Sequence, residues 1–457
     1  MLLEKVFGPY VKQRPYCVMV RAALERMLSP SRLDALFWLE AETQYERTLL
    51  FSTMVEAIAR VVTRVEPSVL AAYRALREQL GVSDEAFYQK LRGVELPVSA
   101  ALVRDSFEQA RGVLEQLGVC DPSWVRGRRV KVLDGNHLAA TEHRLPELRT
   151  IWDAPLPGKS LVVWDQATRL VCDVFLTEDG HAQERSLLDE VLEQVADDDL
   201  WIADRNFCTS GFLFELWDRR ARFVIRQHGQ MTGNLAGKRR FAGRTANGEK
   251  VYEQSLTLTY QGRTRTLRRV TVVLKQPTRD GDRELHILTN LTVREASAVK
   301  VAQLYQRRWT IEVVFLELQT ALSCEVQTLG YPRAALFCFC VALFLQNTMS
   351  LLNGALRAVH GAEKIDTEVS GILLSQELQK TYDGMLVAIP EAKWEPFGKL
   401  SIRDFATALK ELAQKIDLTR YRKTKRGPKK PPPQKKKYHN GGHASTYKLL
   451  ALRKPSD

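Results

Sequence analysis

The chain has 457 residues, enough for roughly two to four domains, and its 45% hydrophobic and 26% charged residues are typical of a globular protein. Lysine and arginine outnumber acidic residues by 67 to 54. The resulting net charge of +13 indicates a polyanionic partner, either nucleic acid or an anionic membrane surface. Seven scattered cysteines, an odd number, argue against a disulfide framework and indicate a reducing compartment.

The first 125 residues predict an all-helical domain, because apolar residues recur every three or four positions between glycines and prolines. The N-terminus lacks the long apolar stretch of a signal peptide. Residues 69–94 predict a helix, a break at Gly81, an N-cap at Ser83 and a second helix. This outline fits a helix-turn-helix, and it equally fits an ordinary pair of helices.

From residue 126 the pattern changes to short strands with a helix between them, which predicts an α/β fold with a mixed sheet. Later runs of alternating polarity predict an antiparallel β insertion, and helices resume from about 294 to 415. The predicted strands are 128–134, 160–166, 170–179, 200–204, 222–227, 251–260, 264–275 and 284–290, with a helix at 182–196.

These patterns divide the chain into five parts. They are 1–125, the helical domain; 126–220, the first part of an α/β core; 221–292, the β insertion; 293–415, the second part of the core with further helices; and 416–457, a basic tail.

The most apolar run, residues 334–345, spans 12 residues. A membrane-spanning helix needs about 20, so this run predicts a buried core helix and no membrane contact. Cys338 and Cys340 lie two positions apart, where helical side chains diverge, so they predict core packing and not a metal site.

The tail differs in composition from everything before it. From Tyr421 to Asp457 it has twelve lysines and arginines and one acid, and so contains eleven of the thirteen excess positive charges. Three consecutive prolines and this charge predict disorder. The tail is either a basic arm that lies along a phosphate backbone or a solubilising segment.

Two aspartates stand where predicted strands end. Asp134 ends "VKVLD" and Asp204 ends "LWIAD", positions at the rim of a sheet where α/β sites are commonly built. The alternative is that each aspartate caps the next element or starts a turn.

A third acid, Glu312, lies in a predicted helix over 304–322 with an apolar stripe. Tyr305, Arg308, Glu312 and Gln319 follow a line beside that stripe. The alternative is that Arg308 and Glu312 form an ordinary ion pair on the helix surface.

Together the three acids indicate metal chemistry. Carboxylates are suited to Mg²⁺ or Mn²⁺, and two such ions about 3.5–4 Å apart stabilise the attacking and leaving oxygens of phosphoryl transfer.

In these features the sequence resembles a known family, the DDE transposases of bacterial insertion sequences. Tyr305, Arg308 and Glu312 have the spacing of its Y-(2)-R-(3)-E-(6)-K signature, with Gln319 at the last position. The segments "VLDGNHL" and "IADRNF" resemble the family's other two acid blocks.

The resemblance implies an RNase H-like catalytic core with a β-rich insertion and a preceding helical domain that recognises element ends. It implies that Asp134, Asp204 and Glu312 bind two Mg²⁺ or Mn²⁺ ions and catalyse DNA cleavage and strand transfer. The implied partner is double-stranded DNA, bound by a homodimer in the bacterial cytoplasm at the nucleoid. The predicted DNA contacts are Tyr305, Arg308, Gln319, Lys423, Lys425, Arg426, Lys429 and Lys430.

Three alternatives stay open. The chain is a nuclease of the same fold that cannot join DNA, a non-catalytic DNA-binding regulator from a decayed element, or a protein whose basic tail binds RNA. The presence of all three acids argues against the second alternative, whereas the glutamine at 319, which removes a cation from the signature, argues for it.

Overall fold

A computed structural model of the chain describes residues 6–44, 48–278, 281–424 and 442–452. The N-terminal region is helical, as predicted. Prolines at the first positions of several of these helices favour helix initiation, because their φ is already helical and they lack an N–H that would stay unpaired. The N-terminal helices are α1 (Gly8–Gln13), α2 (Pro15–Met27), α3 (Pro30–Glu40), α4 (Phe51–Val62), α5 (Val69–Ala75), α6 (Arg77–Leu80), α7 (Asp84–Gly93) and α8 (Leu96–Leu117).

The predicted break between two helices of this region is confirmed. Gly81 ends α6 in the left-handed conformation, with φ of 60°. The Ser83 hydroxyl then accepts a hydrogen bond from the Ala86 N–H at 3.2 Å and so caps α7.

A nine-stranded mixed sheet follows, in the order β4-β3-β1-β5-β6-β10-β9-β8-β7. The pairs β1–β5 and β5–β6 are parallel, and the other pairs are antiparallel. The mixed α/β class is therefore confirmed. The strands of this sheet are β1 (Arg129–His137), β3 (Lys159–Asp165), β4 (Leu170–Thr177), β5 (Asp199–Ala203), β6 (Arg222–Arg226), β7 (Asn234–Arg244), β8 (Lys250–Tyr260), β9 (Arg263–Val273) and β10 (Glu284–Thr289), while β2 (Ala154–Leu156) lies outside it.

Two details of the prediction are wrong. Strand β7 was not expected, because it is exposed along most of its length and lacks the alternation that marks a half-buried strand. The helix expected at 182–196 is shorter: a 3-10 turn at Glu184–Leu187 leads into α9 (Leu188–Glu193). One further helix, α10 (Ser210–Asp218), precedes β6.

Side chains alternate between the two faces of the sheet. Val130 and Val132 of β1 belong to a large core shared with the N-terminal and C-terminal helices, whereas Leu133 belongs to a smaller core beneath α9 and α10. The C-terminal helices are α11 (Ala298–Gln306), α12 (Trp309–Ala321), α13 (Pro332–His360), α14 (Ala362–Glu368), α15 (Gly371–Ala388), α16 (Glu395–Lys399), α17 (Ile402–Gln414) and α18 (Thr446–Ala451).

Helix α13 contains the apolar run at 334–345, and this run is buried, as predicted. Among the described residues, α13 is the one helix that is long and apolar enough to cross a membrane. However, 94% of its most apolar 18-residue stretch is buried inside the protein. Cys338 and Cys340 are fully buried in it, and all seven cysteines are free thiols. The prediction of a core helix is confirmed.

Both described parts of the tail are folded, which corrects the expectation of disorder for residues 416–424, where a 3-10 turn spans Leu418–Tyr421, and for residues 442–452. Strand β11 (His443–Ser445) pairs in parallel with β2. Asp179 fixes the segment, since its carboxylate accepts a hydrogen bond from the Ser445 hydroxyl at 2.7 Å and pairs with the Lys448 ammonium at 3.0 Å. The basic positions Lys425, Arg426, Lys429 and Lys430 lie outside the described residues.

Candidate active site

The two aspartates lie next to each other because of the register between two parallel strands. Leu133 of β1 pairs with Ala203 of β5, and this is the last pair between the strands. Asp134 and Asp204 are the residues that follow immediately. Because parallel strands run in the same direction, both acids lie at the same edge of the sheet.

Asp134 does not end its strand, contrary to the prediction. Strand β1 continues to His137, since its other neighbour, β3, pairs with it along the whole of this extension. Asp204 does follow the last residue of β5, and its side chain does not cap the 3-10 turn at Arg205–Phe207. Asp204 does start a turn, since its backbone carbonyl accepts a hydrogen bond from the Phe207 N–H at 3.1 Å, but neither aspartate side chain caps the element that follows.

The predicted single helix over 304–322 consists of two helices, α11 and α12, with a turn at Arg307–Arg308 between them. The turn between the helices keeps hydrogen bonds between residues three positions apart, as in a 3-10 helix. One example is the bond from the Ile311 N–H to the Arg308 carbonyl at 3.1 Å. The predicted apolar stripe is buried at Leu304, Ile311, Leu318 and Leu322, and Phe315 is partly buried. Glu312 therefore lies in the first turn of a helix that packs against the core.

Two side chains, one in the last turn of α11 and one in the turn that follows it, hold the three acids. The Arg308 guanidinium donates from Nη1 to Asp134 Oδ2 at 2.7 Å and from Nη2 to Glu312 Oε1 at 2.8 Å. The Tyr305 hydroxyl donates to Asp204 Oδ1 at 2.9 Å. The ion pair between Arg308 and Glu312 exists, but it is not an isolated surface pair, because Arg308 is buried and also holds Asp134.

The electrostatics reflect this crowding of charge. Burial raises the pKa of Asp134 to about 6; Arg308 and the Gly135 N–H oppose the rise, while Asp204 and Glu312 add to it. Burial alone would lower the pKa of Arg308, but Asp134 and its other anionic neighbours raise it above its usual value. The guanidinium is thus a permanent cation among carboxylates.

The three acids fit a divalent cation by their chemistry, because carboxylate oxygens are hard ligands and these carboxylates repel one another without a cation. As they stand, the described residues contain no group of three His, Cys, Asp or Glu side chains placed to hold a metal ion. Arg308 takes the cationic role between Asp134 and Glu312. Side-chain movement is therefore needed before these acids can share a metal.

The remaining predicted contacts lie apart from the acids or point elsewhere. Gln319 is exposed near the end of α12, and its backbone carbonyl accepts from Arg64 at 3.5 Å. Lys423 is exposed, and its ammonium donates to the Asp366 carbonyl at 2.6 Å.

A polar pocket at the same edge of the sheet was missed by the sequence analysis. It encloses about 350 Å³. Glu184 packs against Gly135, where a Cβ would clash with the carboxylate, and accepts a hydrogen bond from Asn206 at 3.3 Å. The glycine directly after Asp134 was the one signal that another group approaches here. The pocket is lined by His137, Lys159, Gln183, Glu184, Arg185 and Asn206.

Acidic residues gathered at the edge of a mixed sheet, in a chain with a large positive charge, are typical of an enzyme that acts on nucleic acid. Residues 126–343 match the family model of the transposase DDE domain, and this range includes all three acids. This match supports a DDE transposase, as the sequence predicted, with a general role in DNA transposition. A search of curated proteins found no match.

Proposed function

We propose that this transposase cleaves DNA at the ends of its own insertion sequence and joins those ends to a new site, in a cut-and-paste reaction. Asp134, Asp204 and Glu312 would be its catalytic acids. The observation that carries the proposal is the convergence of the three acids: the β1–β5 register places the aspartates side by side, and Arg308 joins Asp134 to Glu312.

The proposal assigns a role to the three acids, to Tyr305 and to Arg308. Two divalent cations, Mg²⁺ or Mn²⁺, would be held by the three acids. When bound, they would activate a water or a 3′-hydroxyl as the nucleophile and stabilise the leaving oxygen. Strands β1 and β5 hold two of the acids on a rigid sheet, which fixes their separation. Tyr305 orients Asp204 by its hydrogen bond. Arg308 carries the charge suited to a DNA phosphate.

We also propose that β1, β3, β4, β5 and β6 form an RNase H-like core, which moves β6 out of the insertion expected at 221–292. The insertion then contains β7 to β9, and α1 to α8 form the part that recognises element ends. The support is the sheet order, in which three antiparallel strands continue into two parallel ones. The signature spacing supports the branch marked by Y-(2)-R-(3)-E-(6)-K. Paired ends imply action as a homodimer, which light scattering of the protein–DNA complex would measure.

The test uses the purified full chain, a plasmid that carries the gene with its flanking DNA, and Mg²⁺. We expect cleavage at the element ends. Asp134→Asn, Asp204→Asn and Glu312→Gln should each reduce cleavage more than about 100-fold, because each removes several kcal/mol of transition-state stabilisation. Asp198→Asn is the matched control, since Asp198 is exposed at the opposite end of β5.

Full activity in any of the three acid variants, with unchanged thermal unfolding, contradicts the assignment. Cleavage without joining in a strand-transfer assay identifies a nuclease of the same fold. End binding without cleavage by the unmodified chain identifies a non-catalytic regulator, and Gln319→Lys then tests whether the missing cation is the cause.

A further inference from the structure

The Arg308 guanidinium occupies the position between two proposed metal ligands. It lies 2.7 Å from Asp134 Oδ2 and 2.8 Å from Glu312 Oε1, and its side chain is 10% exposed. Tyr305 holds the third acid through a 2.9 Å hydrogen bond to Asp204. All three acids therefore have a partner from the end of α11 or from the turn that follows it.

These contacts compete with metal binding. A guanidinium held between two carboxylates already neutralises part of their charge, occupies one oxygen of each and repels a second cation at the same place. An arginine cannot resolve the competition by losing its proton, because its pKa lies far above the physiological range. The side chain itself must move away from the acids.

The surroundings of Arg308 allow such a movement. Its Nε is buried without a hydrogen-bond partner, so the position between the acids does not satisfy the whole guanidinium. The residue also lies in the turn between two helices and not within either of them. A DNA phosphate is a suitable competing partner, because it accepts two parallel hydrogen bonds from a guanidinium.

We propose that Arg308 is a switch that keeps the acids unavailable in the free protein and releases them when a DNA phosphate binds its guanidinium. Asp134 and Glu312 are then free to hold a divalent cation. This inference rests on the proposed function, and it adds that metal and DNA bind cooperatively. The cooperativity is reciprocal: DNA raises the affinity for metal by the same factor by which metal raises the affinity for DNA.

The experiment is a titration of the full chain with Mn²⁺, with calorimetric readout, in the absence and presence of a short DNA duplex. We expect Arg308→Gln to bind Mn²⁺ at least about 10-fold tighter than the unmodified chain when DNA is absent. The duplex should tighten Mn²⁺ binding to the unmodified chain by about 5–150-fold, the usual range of coupling between sites, and should have little effect on Arg308→Gln.

Arg307→Gln is the matched control, because Arg307 is the adjacent arginine, is exposed and contacts the Trp124 ring and not the acids. It should behave as the unmodified chain does. Arg308→Lys, which keeps the charge but loses the two-pronged contact, should have an intermediate affinity, and it replaces Arg308→Gln if the latter does not fold.

Mn²⁺ binding by folded Arg308→Gln that is no tighter than that of the unmodified chain overturns the switch. Adding Asp134→Asn to Arg308→Gln should remove the gain, and a gain that persists places the metal elsewhere and also overturns it. A different result would contradict the proposed function itself, namely DNA cleavage by the Asp134→Asn variant.

Discussion

Two buried tyrosines differ in a single hydrogen bond, and they test at the residue scale whether the acids are held as described. Tyr305 is 6% exposed, and its hydroxyl donates to Asp204. Tyr382 is 1% exposed, and its hydroxyl has no partner among the described residues. A buried hydroxyl with a charged acceptor stabilises the fold, whereas a buried hydroxyl without one does not.

We expect Tyr305→Phe to lower the free energy of unfolding by about 1–2 kcal/mol, since it removes a hydrogen bond to a carboxylate. Tyr382→Phe should be neutral or stabilising, because it removes an unpaired polar atom. Urea denaturation of both variants measures the difference. Equal effects of the two substitutions would mean that Tyr305 does not hold Asp204 in solution.

At the scale of elements, Glu295 joins three segments next to the sheet. It lies between β10 and α11 and accepts hydrogen bonds from Arg128 at 2.8 Å, before β1, and from Arg222 at 3.0 Å, in β6. Burial alone would raise the pKa of Glu295, but these bonds and that from the Thr292 N–H lower it to about 2.

The sign of the pH dependence follows from this lowered pKa. An unfolded glutamate has a pKa of about 4.3, so the stabilisation is complete above about pH 5 and is lost as the pH falls from about 4.3 toward 2. We expect Glu295→Gln to lower the free energy of unfolding at pH 7 by about 1–3 kcal/mol, and the difference to shrink below about pH 4. Urea denaturation between pH 7 and 3 measures it.

Glu411→Gln, at an exposed position of α17, is the control and should change little at any pH. A difference for Glu295→Gln that stays constant as the pH falls would show that its charge is not the source of the stabilisation.

The same scale shows what the sequence could predict. Strands β1 and β5 were predictable because each contains a short apolar run, interrupted in β1 by Lys131, and these runs are buried in the sheet. Strand β7 was not, since its side chains are mostly exposed and its sequence has no period. The helix over 304–322 was predicted as one unit because the apolar stripe continues across the turn at Arg307–Arg308, which no glycine or proline marks.

The candidate site, too, could be predicted from the sequence only in part. Local context was enough to choose Asp134, Asp204 and Glu312 as candidates. The hydrogen bond between Arg308 and Asp134 joins residues 174 positions apart, and only the packing of α11 and α12 on the sheet brings them together. The sequence predicted contacts of Arg308 with DNA, whereas the structure places this side chain on the acids.

At the scale of the whole molecule, the positive charge is concentrated in one segment. Residues from Tyr421 onward contain twelve basic residues and one acid, which leaves the rest of the chain close to neutral. The structure holds the chain on both sides of residues 425–441. The Lys423 N–H donates to the Glu368 carbonyl at 2.7 Å, and β11 pairs with β2 beyond them.

Replacement of Lys425, Arg426, Lys429 and Lys430 by glutamine should therefore weaken DNA binding far more than the same change in charge elsewhere. The slope of log K against log salt is negative, and each lost phosphate contact makes it less steep by about 0.9. We therefore expect the steepness of the slope to fall by up to about 3.6. Fluorescence anisotropy over a range of salt concentrations measures it. The control replaces four exposed lysines of the C-terminal helices and their connections, at positions 364, 380, 393 and 410.

Equal losses in the two variants would mean that net charge alone, and not the tail, governs DNA binding. Salt dependence does not distinguish DNA from RNA, because any phosphate binder shows it. Competition does. If RNA displaces end-bearing DNA from the unmodified chain but not from the tail variant, the tail is an RNA-binding segment. If RNA competes equally weakly with both, the four tail cations act on the DNA that the three acids are proposed to cut.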